Sequence, residues 1–283
     1  MTGDAEKTSG DWRPIGSPRE DRPGDASGQE VEEDWNWFGA SSTARRGRLP
    51  FGAGDTGRTI TQVFAVVVVA LVVLVVGGDL LAVMLSQLLD GGGPESADPV
   101  RRGDIFYGLS VMLVLFTIPP LLWVYAFYEG KLEAWRTRLF LHAQRFFGFF
   151  GWGVIGGFGL LVAGAIIAIV LDSVIPQPEN RVVQDIGAVL TWELVFFISI
   201  AAAVGEEIFF RGFLQPRIGI VPANVLFGLV HLSYGVPLQV IVPLVLGFAF
   251  SWMTLKTRSL VPAIVAHFTF DLIQLSLAKL FFG

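Results

Sequence analysis

From residue 59 onward the chain alternates between long stretches with few or no acidic or basic side chains and short junctions that carry most of the Lys and Arg found there. A helix needs ~20 apolar residues to cross the hydrocarbon core of a bilayer. Residues 59–78, 105–128 and 146–171 each reach that length uncharged, and each predicts one membrane span. Residues 218–255 are too long for a single crossing, and the turn signal Ser233-Tyr234-Gly235-Val236-Pro237 divides them into two helices. Residues 186–214 and 259–282 complete the set, which predicts an all-α polytopic membrane bundle of about seven spans, or eight if one segment is re-entrant.

Composition agrees with this pattern. Hydrophobic residues make up 53% of the 283-residue chain and charged residues only 16%, far from the balance of a soluble domain. The first fifty-odd residues are polar, so they predict no cleavable signal peptide, and targeting falls to the first span. With no cysteine, disulfides and thiolate metal sites drop out, and any metal would need His and carboxylate ligands.

Residues 1–58 read as a separate, disordered tail rich in Gly, Pro, Ser and acidic residues, and residues 59–283 as the transmembrane domain. Within the tail, Trp35, Trp37 and Phe38 follow an acidic run and form a candidate docking motif for a partner, against the plainer reading of an unpartnered tail. The net charge of -5 arises largely here and implies nothing about nucleic acid.

Lys and Arg in the loops predict orientation. Arg45, Arg46, Arg48, Arg58, Lys131, Arg136, Arg138, Arg145, Arg211, Arg217, Lys256 and Arg258 fall to one side, against Arg101, Arg102, Arg181 and Lys279 on the other. The excess puts the N-terminus in the cytoplasm and the C-terminus outside.

The polar residues inside the spans carry the chemistry. Glu206, Glu207 and Arg211 lie in an apolar stretch, where each ionised group is costly enough to suggest use. Helical spacing puts Glu207 and Arg211 on one face, within ion-pair reach, and turns Glu206 about 100° away. Glu207 then reads as structural and Glu206 as a general base facing the bundle interior.

With Pro216 and Pro222 marking a cytoplasmic turn, Glu206 and His231 sit at matching depths of ~15 Å, and His267 ~12 Å inside the last span. Asp271 shares a face with His267 and is placed to orient it. Taken singly, each His reads more readily as a packing residue, and the Glu pair as an interfacial cluster; together at one depth they read as a site. Asp79 and Glu193 receive no role, and His142 reads as interfacial. Pro119-Pro120 predicts a kink, and Gly151, Gly153, Gly156, Gly157 and Gly159 predict close helix packing.

In order and character, Glu206-Glu207-x-x-x-Arg211, Phe227-x-x-x-His231 and His267-x-x-x-Asp271 resemble the three motifs of the CPBP intramembrane proteases, which include the type II CAAX prenyl endopeptidases and the Abi bacteriocin-immunity proteins. The resemblance covers about residues 186–282. It implies an intramembrane endopeptidase of a bacterial plasma membrane, working at the cytoplasmic half of the bilayer on a membrane-associated peptide or protein. Glu206 and His231 would activate water, while His267 and Asp271 would bind the oxyanion or orient the substrate. Asp271 departs from the Asn of the eukaryotic prenyl endopeptidases, and an Asp donates a hydrogen bond only when protonated.

Glu206, His231 and His267 also form a ligand set for Zn2+ or another divalent ion, although no His-Glu-x-x-His helix is present. Metal-dependent and metal-free chemistry both stay open at this stage, and no organic cofactor is expected. The rival from another class is a non-proteolytic immunity or partner-binding protein of the Abi type. A proton-coupled transporter is a third reading, unsupported by any inverted repeat.

Overall fold

The computed structural model describes residues 56–90, 100–127, 139–141, 146–175, 181–234 and 236–283. The tail with Trp35, Trp37 and Phe38, the junction cations Lys131, Arg136, Arg138 and Arg145, and His142 lie outside the described residues. Every regular element among the described residues is helical.

Among the described residues, eight α-helices of more than two turns follow in order: α1 Thr56–Asp90, α2 Arg102–Phe127, α3 Phe146–Val174, α4 Arg181–Val189, α5 Trp192–Glu206, α6 Ile220–Leu229, α7 Leu238–Thr257 and α8 Val261–Phe282. Five of them, α1, α2, α3, α7 and α8, are long and apolar enough to cross a membrane. Large side chains such as Leu74, Phe147 and Ile155 are exposed along them, as expected where the surrounding solvent is hydrocarbon.

Two of the predicted spans differ in form. Residues 186–214 do not make one helix: amphipathic α4 ends at Val189, and α5 starts afresh at Trp192, with Thr191 Oγ1 accepting from the Leu194 amide at 3.3 Å. A β-region Thr with its hydroxyl on the N3 amide is an N-cap, which is why the chain breaks there.

The second difference is α6, whose ten residues span ~15 Å, about half the hydrocarbon thickness. It is shorter than the full fifth crossing that the sequence predicts. A 3₁₀ turn, Leu232–Tyr234, then leads toward α7.

α5 does not stop at Glu206. It runs on as a π-helical segment, Glu207–Leu214, and one closing α-turn, Gln215–Ile218, before Gly219 (φ 93°) turns the chain into α6. Only glycine adopts that φ without strain. Phe209, Phe210 and Phe213 of the π segment pack with Phe116 of α2, Leu139 and Phe227 in one buried cluster. Gly212 makes room there, since a Cβ would meet the Leu139 carbonyl and the Leu260 side chain at 3.2 Å.

α3 packs on α8 through the small face the sequence predicts. A Cβ on Gly157 would come within 2.6 Å of Thr269 Cβ, and one on Gly153 within 2.5 Å of Val265 Cβ. Gly156 meets Met253 of α7 in the same way, whereas Gly151 and Gly159 face open space and take no part. Small residues let backbones approach where lipid gives helices no hydrophobic drive to associate. The result fixes α8, which carries His267, against its neighbours.

Candidate active site

The site is built where the α-to-π switch of α5 meets α6, α7 and α8. π-helical turns inside α-helices recur at functional sites, and here the switch falls between the two glutamates. Both are buried, Glu207 completely.

Glu207 Oε1 accepts from Arg211 Nη1 at 2.9 Å and from His267 Nδ1 at 3.0 Å. The pairing with Arg211 is the one that spacing predicts; the bond to His267 is not. The Arg211 guanidinium is equally buried, stacked 4.1 Å above the Phe227 ring, and its Nη2 donates to Asn224 Oδ1 at 3.4 Å. Asn224 in turn donates from Nδ2 to Ser251 Oγ at 2.9 Å. A connected polar chain therefore runs from α7 through α6 and the π segment to α8. Removing one partner of a buried ion pair costs about 3–5 kcal/mol, so the chain must be kept whole. Arg211 is thus an interior residue and leaves the set of loop cations used for orientation.

His267 lies between carboxylates. Its Nδ1–H is committed to Glu207, while Nε2 faces Asp271 Oδ2 at 3.4 Å and Glu206 Oε2 at 3.9 Å. The ring stacks on Phe250, with centroids 5.0 Å apart and planes 15° from parallel. Asp271 is therefore near the imidazole as expected, but Glu207 is the group that orients it.

Glu206 Oε2 is buried without a hydrogen-bond partner, so its lone pairs are available to a reactant. His231 follows α6 in the turn rather than standing mid-helix. Its Nδ1 lies 2.7 Å from the Phe227 carbonyl, which can only accept; Nδ1 therefore carries a proton, and the neutral tautomer with this bond presents its lone pair at Nε2. His231 and Asp271 are both within Coulombic range of Glu206. The structure thus gathers Glu206, His231, His267 and Asp271 into one layer, with Glu207, Arg211 and Phe227 beneath them.

Asp79 and Glu193 are both exposed and lie apart from this layer. Asn224, Ser251 and Phe250 escaped sequence reasoning because a lone amide, a hydroxyl and an aromatic ring in apolar helices carry no motif. Their common depth with Arg211 and His267 depends on the short α6.

The donor types suit a divalent cation, and a His held through Nδ1 by a carbonyl is how metal-binding imidazoles are usually oriented. Among the described residues no group of three or more His, Asp or Glu side chains is spaced to hold a metal ion as it stands. No chemical step below is routed through one.

Fold and site together define a polytopic helical membrane protein with a buried carboxylate–imidazole centre. Residues 188–273, about a third of the chain, match the family described as Type II CAAX prenyl endopeptidase Rce1-like, so this segment is similar to that family of membrane peptidases. No curated protein and no solved structure matches the chain.

Proposed function

We propose that the protein is an intramembrane endopeptidase of the CAAX prenyl protease type that hydrolyses a peptide bond with water activated by Glu206. The observation that carries this reading is the buried Glu206 Oε2, unbonded and 3.9 Å from His267 Nε2. Glu206 takes a proton as the water oxygen attacks the carbonyl carbon, giving a tetrahedral oxyanion. The same proton then passes to the amide nitrogen as the C–N bond breaks, leaving a carboxylic acid and an amine. His231 Nε2 offers a second lone pair to the attacking water. Glu207, bonded to Nδ1, positions His267 so that Nε2 faces the reacting groups.

On this reading the site opens toward the cytoplasmic half of a bacterial plasma membrane and the N-terminus is cytoplasmic, supported by the bias of loop Lys and Arg toward that side. The substrate is a membrane-associated peptide or protein. The tail motif Trp35, Trp37 and Phe38 is assigned to docking a partner. A divalent ion on Glu206, His231 and His267 is a second branch, favoured by donor type alone; metal analysis of active protein tests it, and full activity at negligible metal content removes the branch.

The experiment for the main reading compares peptide termini released in membranes of cells expressing wild type, Glu206→Ala, His231→Ala and His267→Ala. New termini confined to the wild type support it. Identical termini in all four contradict it and favour the immunity or partner-binding alternative, for which protection from a toxin would be equal in wild type and Glu206→Gln.

A further inference from the structure

The groups assigned so far offer the reaction at most one hydrogen-bond donor, His267 Nε2. An oxyanion forming on the substrate carbonyl needs N–H or O–H groups aimed at it. As carboxylates Glu206 and Asp271 only accept, the proton Glu206 takes from water is passed on to the amide nitrogen, and the His231 Nδ1 proton is directed at the Phe227 carbonyl 2.7 Å away. His267 gives one N–H to Glu207, and its Nε2, which can donate only when it too carries a proton, is shared with Asp271 at 3.4 Å and Glu206 at 3.9 Å.

Tyr234 has the missing chemistry. It ends the 3₁₀ turn after α6, and its amide donates to the His231 carbonyl at 3.2 Å. The phenol ring stacks on the His231 imidazole, with centroids 6.1 Å apart and planes 17° from parallel. Through His231 the ring adjoins the layer that holds Glu206 and Asp271. Among the described residues none accepts a hydrogen bond from its hydroxyl. A phenol ordinarily ionises only near pH ~10, so the O–H is a standing donor at neutral pH.

We propose that Tyr234 is a further catalytic residue whose hydroxyl donates to the scissile carbonyl oxygen as that oxygen becomes negative. This rests on the peptidase reading above. No bond is made or broken at the phenol: its proton stays on Tyr234, and the negative charge remains on the substrate oxygen until the C–N bond breaks.

The test uses the full chain in liposomes and an internally quenched peptide carrying a farnesylated cysteine near its C-terminus. Tyr234→Phe keeps the stacked ring and removes only the hydroxyl. It is expected to lower kcat about 10²-fold with KM nearly unchanged, the effect of losing one oxyanion donor. Inhibition by a phosphinic analogue of the peptide, which mimics the tetrahedral oxyanion, should weaken by a similar factor, while binding of the product peptide should not change. Tyr234→His, which returns an N–H donor, should recover part of the rate. If Tyr234→Phe retains kcat within about threefold in membranes where Glu206→Ala is inactive, the Tyr234 assignment is overturned and the peptidase reading stands. Equal cleavage by Glu206→Ala and wild type overturns both.

Discussion

Glu207 and His267, sixty positions apart, are joined by a 3.0 Å hydrogen bond between Oε1 and Nδ1. The same oxygen holds Arg211, so one carboxylate ties the π segment to α8 and sets which imidazole nitrogen faces the reactive layer. This divides the glutamate pair by function: Glu207 positions, and Glu206 reacts.

The division predicts different damage at the two sites. Glu207→Ala leaves Arg211 buried and unpaired, and is expected to lower stability by about 3–5 kcal/mol, read as a lower unfolding temperature in detergent. Glu207→Leu combined with Arg211→Met should restore much of that stability, because an apolar pair of similar volume replaces both charges. The double variant should nevertheless be inactive, since His267 loses its orienting partner. Activity equal to wild type in the double variant would show that His267 needs no such support.

The extension through Asn224 predicts a graded effect. Asn224→Leu removes the acceptor of Arg211 Nη2 and the donor to Ser251 Oγ. Leaving those groups unsatisfied should cost about 1–3 kcal/mol, measurable by thermal unfolding. Ser251→Ala, which deletes one hydroxyl at the end of the chain, should cost less.

The small face of α3 makes a packing prediction. Gly157→Val puts side-chain atoms where Thr269 and the Ala266 carbonyl already lie, and is expected to destabilise the bundle by about 1–3 kcal/mol. Gly159→Ala meets nothing within 4 Å and should leave the unfolding temperature unchanged.

His231 predicts a change in rate rather than in stability. Its Nδ1 proton is bound by a backbone carbonyl, so His231→Ala loses one local hydrogen bond and the Nε2 lone pair together. Loss of about 10²–10⁴-fold in kcat is expected if Nε2 assists the attacking water, with a much smaller shift in unfolding temperature. A kcat unaltered by His231→Ala would remove the residue from the proposed mechanism.

Much of the membrane fold was legible in the chain because hydrophobic length is a one-dimensional signal: residues 59–78, 105–128 and 146–171 each lie almost wholly within one long helix. The Glu207–Arg211 pair was legible because i and i+4 meet on one helix face. The shortness of α6 was not, since a ten-residue helix, a turn and the next helix read as nearly continuous apolar sequence apart from Ser233–Pro237. Nor was the π segment, whose Phe209, Phe210 and Phe213 look like ordinary membrane residues until their packing with Phe116 is seen. The bond from Glu207 to His267 depends on how α8 is rotated against the π segment, and nothing in either segment alone encodes that. Glycine spacing on α3 identified a close contact, but only the structure separates Gly153 and Gly157, which make it, from Gly151 and Gly159, which do not.

The central claim is that Glu206 supplies the base while Glu207 supplies the frame. Its most direct measurement is cleavage of the farnesylated quenched peptide by Glu206→Gln in liposomes, with the unfolding temperature recorded on the same preparation. The account predicts a loss of at least about 10²-fold in kcat with an unfolding temperature close to wild type, because Gln keeps the shape and removes the basic carboxylate. Wild-type cleavage by Glu206→Gln would contradict it.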